Sequence, residues 1–300
     1  MNTVAFLGLG RMGGPMAANL VKAGHTVRGY DPEHKAVDIA AEAGVDVRDS
    51  LTAAVTDAET VITMLPSGKH LLGCYQDILP SLRPGTLLLD SSTVAVADAR
   101  AAADMARGAG HEPVDAPVSG GVSGARAGTL TFMVGAETSA YERAIPLLDV
   151  MAAKHIHCGA AGAGQAAKIC NNMVLGVSMI AVSEAFALGR SLGLSDQALY
   201  DVASTSSAQC WSLTTYCPVP GPVPTSPANN DYGAGFTTGL MSKDLHLAQA
   251  AAEDNDVSTA LGAHAMELYD RFAKIDGPHR DFSAIITAVI DGAFAKKESE

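Results

Sequence analysis

Three glycines are closely spaced near the start of the chain. Residues 8–13 read GLGRMG, directly after the apolar run VAFL and directly before a helical pattern. In that setting Gly8 permits a tight turn, Gly10 lets the backbone approach a pyrophosphate, and Gly13 lets the helix pack on the strand. The start of the helix then faces the phosphate charge. The residues predicted to form this dinucleotide-binding turn are Gly8, Gly10, Arg11, Met12 and Gly13.

An acidic residue stands where the second strand is predicted to end. Asp31 follows Gly13 by eighteen positions, close to the roughly 20 expected for a carboxylate that accepts hydrogen bonds from an adenosine ribose. A carboxylate there would repel a 2′-phosphate, so the sequence favours NAD over NADP. Arg11, His34 and Lys35 oppose this preference if their side chains turn toward the ribose.

Further predicted strands end in loops that belong to the same site. Open α/β sheets bind ligands beyond the carboxyl ends of their strands. Leu65 and Pro66 follow the third predicted strand, and Thr93 follows the fourth. We expect these three residues to line the path from adenine to nicotinamide, with ordinary loop packing as the alternative.

A small hydroxyl and two glycines follow the fifth predicted strand. Residues 115–121 read DAPVSGG, and Ser119, Gly120 and Gly121 form a turn whose composition exposes backbone N–H groups to an anion or a carboxylate. A plain turn is the alternative.

Lys168 stands in the first turns of an apolar helical pattern, and Asn172 lies four residues on, on the same face. A lysine there is costly to bury and poorly placed for the helix dipole, so it either extends its amine to solvent or works as an acid or base. We favour the second interpretation, because removing a hydride from an alcohol requires a group that takes the hydroxyl proton.

Composition limits the class of protein. The chain has 300 residues, 48% of them hydrophobic, and a net charge of −12, which excludes a disordered chain and disfavours nucleic acid as a partner. Five scattered cysteines without C-x-x-C spacing predict neither disulfides nor a metal site. Together with an N-terminus that lacks a leader pattern, they lead us to expect a cytoplasmic protein.

Two long uncharged stretches do not predict membrane spans. Residues 169–183 are only fifteen in number, fewer than the roughly 20 that a spanning helix needs. Residues 202–230 include five prolines, which no regular helix tolerates. The first is predicted to be a buried helix and the second a surface loop.

The alternation of short apolar runs and helical patterns predicts an α/β fold. Residues 1–162 are expected to form a Rossmann-like, doubly wound dinucleotide-binding domain, and residues 163–300 an all-helical substrate and oligomerisation domain that begins with a long interdomain helix. The predicted parallel strands are residues 3–7, 26–30, 60–65, 86–90 and 112–115, with residues 130–134 and 155–158 as edge or antiparallel strands. The predicted helices are residues 15–23, 33–43, 95–110, 163–192, 195–203, 238–254, 259–273 and 282–294, before a solvated tail at residues 296–300.

Four segments resemble the β-hydroxyacid dehydrogenases. They are residues 8–20, residues 115–121, the helix with Lys168, and the tripeptide KDL that begins at Lys243. The resemblance spans essentially the whole chain. It is strongest to members that oxidise 3-hydroxyisobutyrate, through residues 121–130 (GVSGARAGTL) and the proline-rich loop at residues 211–236.

The resemblance implies roles for particular residues. It implies a catalytic Lys168 that relays the alcohol proton, a Lys243 near the nicotinamide, and oxidation of 3-hydroxyisobutyrate to methylmalonate semialdehyde with NAD in valine catabolism. A homodimer or homotetramer is expected on a different ground, because apolar helices like those of the second half often pack across a two-fold axis. Without the resemblance, Lys243 and Asp244 would be interpreted as an exposed ion pair. The residues that match substrate-holding positions are Ser119, Gly120, Gly121, Asn172 and Lys243.

Other functions stay open at this point. L-Serine, glycerate and tartronate semialdehyde differ from 3-hydroxyisobutyrate by a few polar atoms. A decarboxylating relative, similar to 6-phosphogluconate dehydrogenase, would need a Glu where Leu175 stands. A non-catalytic dinucleotide-binding module is a further alternative. Trp211 either covers a substrate or anchors a core.

Overall fold

The computed structural model describes residues 3–294, so the predicted tail at residues 296–300 lies outside the described residues. Its contacts divide the chain into two compact units, Met1–Lys168 and Ile169–Glu300. The boundary predicted between residues 162 and 163 coincides with the start of a long helix, whereas the units divide a few residues later, inside that helix.

The first unit contains a parallel sheet in the order β3-β2-β1-β4-β5-β6. This is the doubly wound order of dinucleotide-binding folds, and the predicted fold class is confirmed. The structure adds β3, a two-residue strand too short to show an alternating pattern in the sequence. The strands are β1 (Thr3–Leu7), β2 (Thr26–Tyr30), β3 (Asp46–Val47), β4 (Thr60–Thr63), β5 (Leu87–Asp90) and β6 (Glu112–Asp115).

Three more strands extend the sheet beyond β6. β8 (Leu130–Ala136) is antiparallel to β6 and to the short β7 (Val118–Ser119). β9 (Ala152–Gly159) pairs with β8 in parallel. The two additional strands predicted as edge or antiparallel members are therefore present, and the last one begins earlier than expected.

Both faces of the sheet are covered, which explains the continuous apolar runs of its strands. Phe6 packs with Met16 in one core cluster, and its neighbour Leu7 packs with Leu71 in another. The side chains of successive strand residues thus pack into cores on opposite faces of the sheet. The helices of this unit are α1 (Gly13–Lys22), α2 (His34–Glu42), α3 (Leu51–Val55), α4 (Gly68–Ile78), α5 (Val96–Gly108), α6 (Gly121–Ala127) and α7 (Thr138–Met151).

The second unit is helical, as predicted, and its core contains Met179, Met241, Tyr269 and Phe272. The prediction of one helix over residues 282–294 is wrong. A 3-10 turn, Phe282–Ala284, precedes a six-residue α13. The helices are α8 (Ala163–Ser191), which begins in the first unit, α9 (Asp196–Thr205), α10 (Trp211–Thr214), α11 (Thr238–Asp254), α12 (Ala260–Asp276) and α13 (Ile285–Ile290).

α8 is, among residues 3–294, the one helix long and apolar enough by composition to cross a membrane. It has 29 residues, and its most apolar window has a mean hydropathy of 1.5 and is 44% buried. Met179 and Phe186 of this helix lie in core clusters of the second unit. A helix inside a protein core meets the same criteria as a membrane span.

Trp211 is not a buried core anchor. Its side chain is 49% exposed and stacks on Tyr216 at 4.7 Å between ring centroids. Tyr216 in turn stacks on Phe282. The proline-rich loop is therefore attached to the second unit's core through a row of aromatic rings, with Trp211 at its outer end.

Candidate active site

The glycine-rich turn has the backbone that its sequence predicts. Gly8 has a φ of +96°, and a Cβ there would lie 2.3 Å from the carbonyl oxygen of Met64. A Cβ at Gly13 would lie 1.9 Å from the oxygen of Gly8, so the start of α1 packs directly against the turn. A Cβ at Gly10 would meet no heavy atom within 4 Å. The open space beside Gly10 is where a pyrophosphate can approach the backbone.

Asp31 is fixed to this turn. Its Oδ2 accepts a hydrogen bond of 2.7 Å from Leu9 N, and its Oδ1 accepts one of 2.8 Å from Glu33 N. A carboxylate has about four acceptor positions, so both oxygens retain capacity for ribose hydroxyls. Together, the turn and Asp31 fit a dinucleotide cofactor. The basic residues Arg11, His34 and Lys35 are exposed.

The loops after β4 and β5 lie beside the glycine turn and are tied to each other. The side chain of Leu65 lies 3.3 Å from the position of a Cβ at Gly8. Leu65 N donates to Ser92 Oγ at 2.8 Å. Leu65 and Thr93 are half-buried and Pro66 is exposed. The structure thus brings the predicted cofactor residues of four strands to one edge of the sheet.

Asp90 supports these loops from inside the sheet. Its Oδ1 accepts hydrogen bonds from Thr63 Oγ1 at 2.7 Å and from Ser92 Oγ at 2.6 Å. Its Oδ2 has no hydrogen-bond partner within the described chain, and a cavity of about 10 Å³ lies against the residue. Burial raises the pKa of Asp90 to about 6, although these hydrogen bonds favour the ionised form.

The predicted carboxylate-binding turn follows β7. Gly120 and Gly121 have φ values of +129° and +62°, which only glycine adopts readily, and α6 begins at Gly121. Ser119 is half-buried and pairs with Thr131 of β8. Backbone N–H groups at the start of a helix lack partners within it, so this turn presents hydrogen-bond donors.

Asp115 holds the start of the helix that carries Lys168. Its Oδ1 accepts a hydrogen bond of 2.6 Å from Gly162 N, and its Oδ2 accepts one of 2.9 Å from Gln165 N. A Cβ at Gly164 would lie 2.3 Å from the carbonyl oxygen of Met133, so the first turn of α8 packs directly on the sheet. Lys168, one turn further on, is only 6% exposed.

In the second unit, Asp244 joins two of the predicted substrate residues. The buried carboxylate accepts a hydrogen bond of 2.5 Å from Asn172 Nδ2, and Lys243 Nζ lies 3.8 Å from its other oxygen. Asp244 is 3% exposed, so its carboxylate does not fit the alternative of an exposed ion pair with Lys243.

Sequence reasoning missed three buried polar residues in these arrangements. They are Asp115, Gln165 and Asp244, whose partners lie between 47 and 73 positions away in the chain. For Asp115 and Asp244 the only signal was their presence in the DAPVSGG and KDL segments. The described residues contain no cluster of three or more metal-ligating side chains, and all five cysteines are free thiols.

Comparison with known proteins assigns the family. Residues 3–159 match the family described as the NAD binding domain of 6-phosphogluconate dehydrogenase, and residues 162–289 match that described as NAD-binding of NADP-dependent 3-hydroxyisobutyrate dehydrogenase. A probable 3-hydroxyisobutyrate dehydrogenase of Mycobacterium tuberculosis is 56% identical over 95% of this chain and 97% of its own. The chain belongs to the 3-hydroxyisobutyrate dehydrogenase family.

Two further similarities concern this 3-hydroxyisobutyrate dehydrogenase family. The solved structure of the M. tuberculosis enzyme with L-serine has a TM-score of 0.94 and 55% identity, covering 96% of this chain and 99% of that one. An NAD-dependent L-serine dehydrogenase of Pseudomonas aeruginosa is 46% identical over 95% of this chain and 97% of its own. The protein is therefore an oxidoreductase with NAD as its cofactor, and the alternative of a non-catalytic module is set aside.

Proposed function

We propose that the protein oxidises 3-hydroxyisobutyrate to methylmalonate semialdehyde, the step that the sequence resemblance assigns to valine catabolism. The observation that carries this proposal is the burial of Lys168 in the unit that also holds the dinucleotide turn. Burying a lysine amine costs free energy, and a fold that bears this cost often uses the group for a function. Removal of a hydride from a primary alcohol supplies that function.

In the proposed reaction, Lys168 takes the proton of the substrate hydroxyl. NAD, when bound, supplies the hydride acceptor. The N–H groups of the turn at Ser119, Gly120 and Gly121 hold the substrate carboxylate. Asp115 keeps Lys168 in place through the first turn of α8. No second acid is needed, because the oxidation releases no carbon dioxide.

L-Serine is the second candidate substrate. One relative is named for its oxidation, and the M. tuberculosis structure contains L-serine. L-Serine and 3-hydroxyisobutyrate share a carboxylate and a primary alcohol, and they differ by an amino group in place of a methyl group. Glycerate and tartronate semialdehyde are related alternatives.

The proposal is tested by NAD reduction with purified protein and a panel of substrates. We expect kcat/KM to be highest for one enantiomer of 3-hydroxyisobutyrate, with L-serine and glycerate following and 6-phosphogluconate inactive. A higher kcat/KM for L-serine or glycerate would retain the chemistry and overturn the substrate. Release of carbon dioxide in step with NADH formation, faster than the free semialdehyde product loses it in buffer, would overturn the simple oxidation.

We also propose a homodimer or homotetramer in the cytoplasm. Large apolar side chains are exposed along the second unit, and three of them, Val174, Leu188 and Leu192, lie on α8 or directly after it with exposures of 61%, 61% and 72%. Apolar surface of this kind is typical of contacts between copies of a chain. Light scattering during size-exclusion chromatography measures the state, and a monomer at micromolar concentration would contradict the proposal.

A further inference from the structure

Gln165 makes side-chain hydrogen bonds on both sides of Thr93. Its Nε2 donates to the carbonyl oxygen of Ser92 at 2.7 Å, and its Oε1 accepts from Val94 N at 3.2 Å. The side chain is completely buried. One amide group therefore satisfies the backbone immediately before and immediately after Thr93.

The backbone of Gln165 is fixed as firmly as its side chain. Its N–H donates to Asp115 Oδ2 at 2.9 Å, in the first turn of α8. Lys168 follows three residues later on the same helix, within the same compact unit. Because a helix is a rigid element, the amide of Gln165 links the Thr93 loop to the segment that carries Lys168.

The same loop is held on its other side by the sheet. Ser92 Oγ donates to Asp90 Oδ1 at 2.6 Å and accepts from Leu65 N at 2.8 Å. The loop at residues 91–94 thus lies between a strand carboxylate and a helix amide. Either support alone leaves one side of the loop without its hydrogen bonds.

The chemistry of the contact requires a primary amide. The Ser92 carbonyl needs a donor and the Val94 N–H needs an acceptor, and the terminal group of Gln supplies one of each. An ionised carboxylate supplies acceptors only, and an apolar side chain supplies neither. Loss of the amide leaves two buried backbone groups unsatisfied, and the loop must shift to recover partners.

We propose that Gln165 is a positioning residue that sets the nicotinamide end of NAD against Lys168 by clamping Thr93. The inference deepens the proposed function and rests on it, because that function gives Lys168 the hydroxyl proton, and the sequence predicts that Thr93 lines the path from adenine to nicotinamide. Gln165 itself does not touch the reacting atoms.

The first test compares two ligands by titration calorimetry with the full-length protein. ADP-ribose lacks the nicotinamide, whereas NADH carries it. In Gln165→Met we expect the Kd of NADH to rise about tenfold, of the order expected for the loss of one or two hydrogen bonds, while the Kd of ADP-ribose stays within about twofold of wild type. Equal changes in the two Kd values, or no change in either, would overturn the proposed positioning role of Gln165.

A second variant separates positioning from general destabilisation. In Gln165→Glu the introduced carboxyl group donates to the Ser92 carbonyl only when it is protonated. The ratio of its NADH affinity to that of wild type should therefore increase as the pH is lowered from 8 to 6. A pH-independent ratio would contradict the proposed donor role.

Gln249→Met is the matched control. Gln249 is a partly buried glutamine of α11 whose Oε1 accepts from Thr259 Oγ1 at 2.8 Å. Both Kd values should match those of wild type in this variant.

Failure of the clamp and failure of the proposed function give different results. Wild-type protein that binds NADH but oxidises neither 3-hydroxyisobutyrate nor L-serine would contradict the proposed function. The comparison of NADH with ADP-ribose would still test whether Gln165 positions Thr93. Active wild type with unchanged binding in Gln165→Met would contradict the clamp alone. Where both proposals hold, the variant also shows a lower kcat and a larger deuterium isotope effect on hydride transfer.

Discussion

The amide of Asn172 donates a hydrogen bond of 2.5 Å to the carboxylate of Asp244, and both side chains are almost completely buried. A buried amide held by a carboxylate has a fixed orientation, and a carboxylate acceptor makes the bond stronger than a neutral one. Asn172 is therefore oriented by a residue on a different helix, α11, which also carries Lys243.

This contact predicts the effect of Asp244→Ala. Loss of the acceptor leaves the Asn172 amide free to rotate, and loss of a hydrogen bond to a charged group costs about 1.5–3 kcal/mol. We expect kcat/KM for the hydroxy acid to fall about tenfold to a hundredfold, with KM for NAD little changed. Steady-state kinetics with each substrate varied measures both. Asp254→Ala, an exposed residue of the same helix, is the control, and equal effects in the two variants would refute the orienting role.

Asp31 is predicted to set the choice between NAD and NADP. Its carboxylate accepts from Leu9 N in the glycine turn, where a ribose 2′-phosphate would meet like charge. In Asp31→Ser we expect kcat/KM for NAD to fall and that for NADP to rise, so that their ratio changes by at least about tenfold. Glu33→Gln, exposed and two residues on, should leave the ratio unchanged. An unaltered ratio of the two kcat/KM values in Asp31→Ser would show that another group discriminates between the ribose hydroxyl and the 2′-phosphate.

The raised pKa of Asp90 predicts that the stability of the protein depends on pH. Its pKa rises from 3.8 to about 6 on folding, so its stabilising contribution is complete below pH 3.8 and is lost as the pH rises through about 6. At about 1.36 kcal/mol per pKa unit the loss is about 3 kcal/mol. Asp90→Asn removes the titration, so its melting temperature relative to wild type should rise between pH 4.5 and 7.5.

Differential scanning calorimetry at several pH values measures this difference. Asp77→Asn is the control, because Asp77 is exposed on α4, and its curve should run parallel to that of wild type. Parallel curves for Asp90→Asn as well would show that Asp90 does not titrate in this range.

The close packing around Gly164 predicts a steric clash when a larger residue replaces it at the start of α8. A Cβ there would lie 2.3 Å from Met133 O and 2.6 Å from Asp115 O, so Gly164→Ala must displace the helix from the sheet. We expect a loss of at least about 2 kcal/mol in the free energy of unfolding, with reduced kcat because Lys168 moves with the helix.

A glycine in a helix with free space makes the matched control for this substitution. Gly73 lies within α4, and a Cβ there would meet nothing within 4 Å. Gly73→Ala should be neutral or stabilising by about 0.4–1 kcal/mol. Denaturant unfolding measures both variants, and similar stabilities would show that the close approach at Gly164 is relaxed at little cost.

The dinucleotide-binding half was predictable because its signals are local. A glycine turn directly after an apolar strand has few alternative structures, and buried parallel strands produce continuous apolar runs. Strand β3 was missed because two residues, Asp46 and Val47, cannot show a period. The final helix was predicted too long at both ends. A 3-10 turn, Phe282–Ala284, precedes α13, and α13 ends at Ile290, shortly before Gly292 with its φ of +67°.

The supports of the candidate site were not predictable. Asp115 holds a helix 47 residues later in the chain, Gln165 reaches back to Ser92, and Asp244 meets Asn172 across 72 residues. Side-chain bonds over such separations leave no pattern in a single sequence. The residues expected to contact ligand were thus predicted from motifs, whereas the residues that support them became visible only in the fold.

In the proposed function, Lys168 takes the hydroxyl proton during oxidation of 3-hydroxyisobutyrate by NAD. The most direct test of this step is the rate of NADH formation in Lys168→Ala, measured in a single turnover at saturating substrate, with Lys154→Ala on the exposed strand β9 as control. We predict a loss of about 10²–10⁴-fold for Lys168→Ala, normal folding, and no change in the control. A folded Lys168→Ala protein with a rate near that of wild type would contradict the role of Lys168 as the proton acceptor.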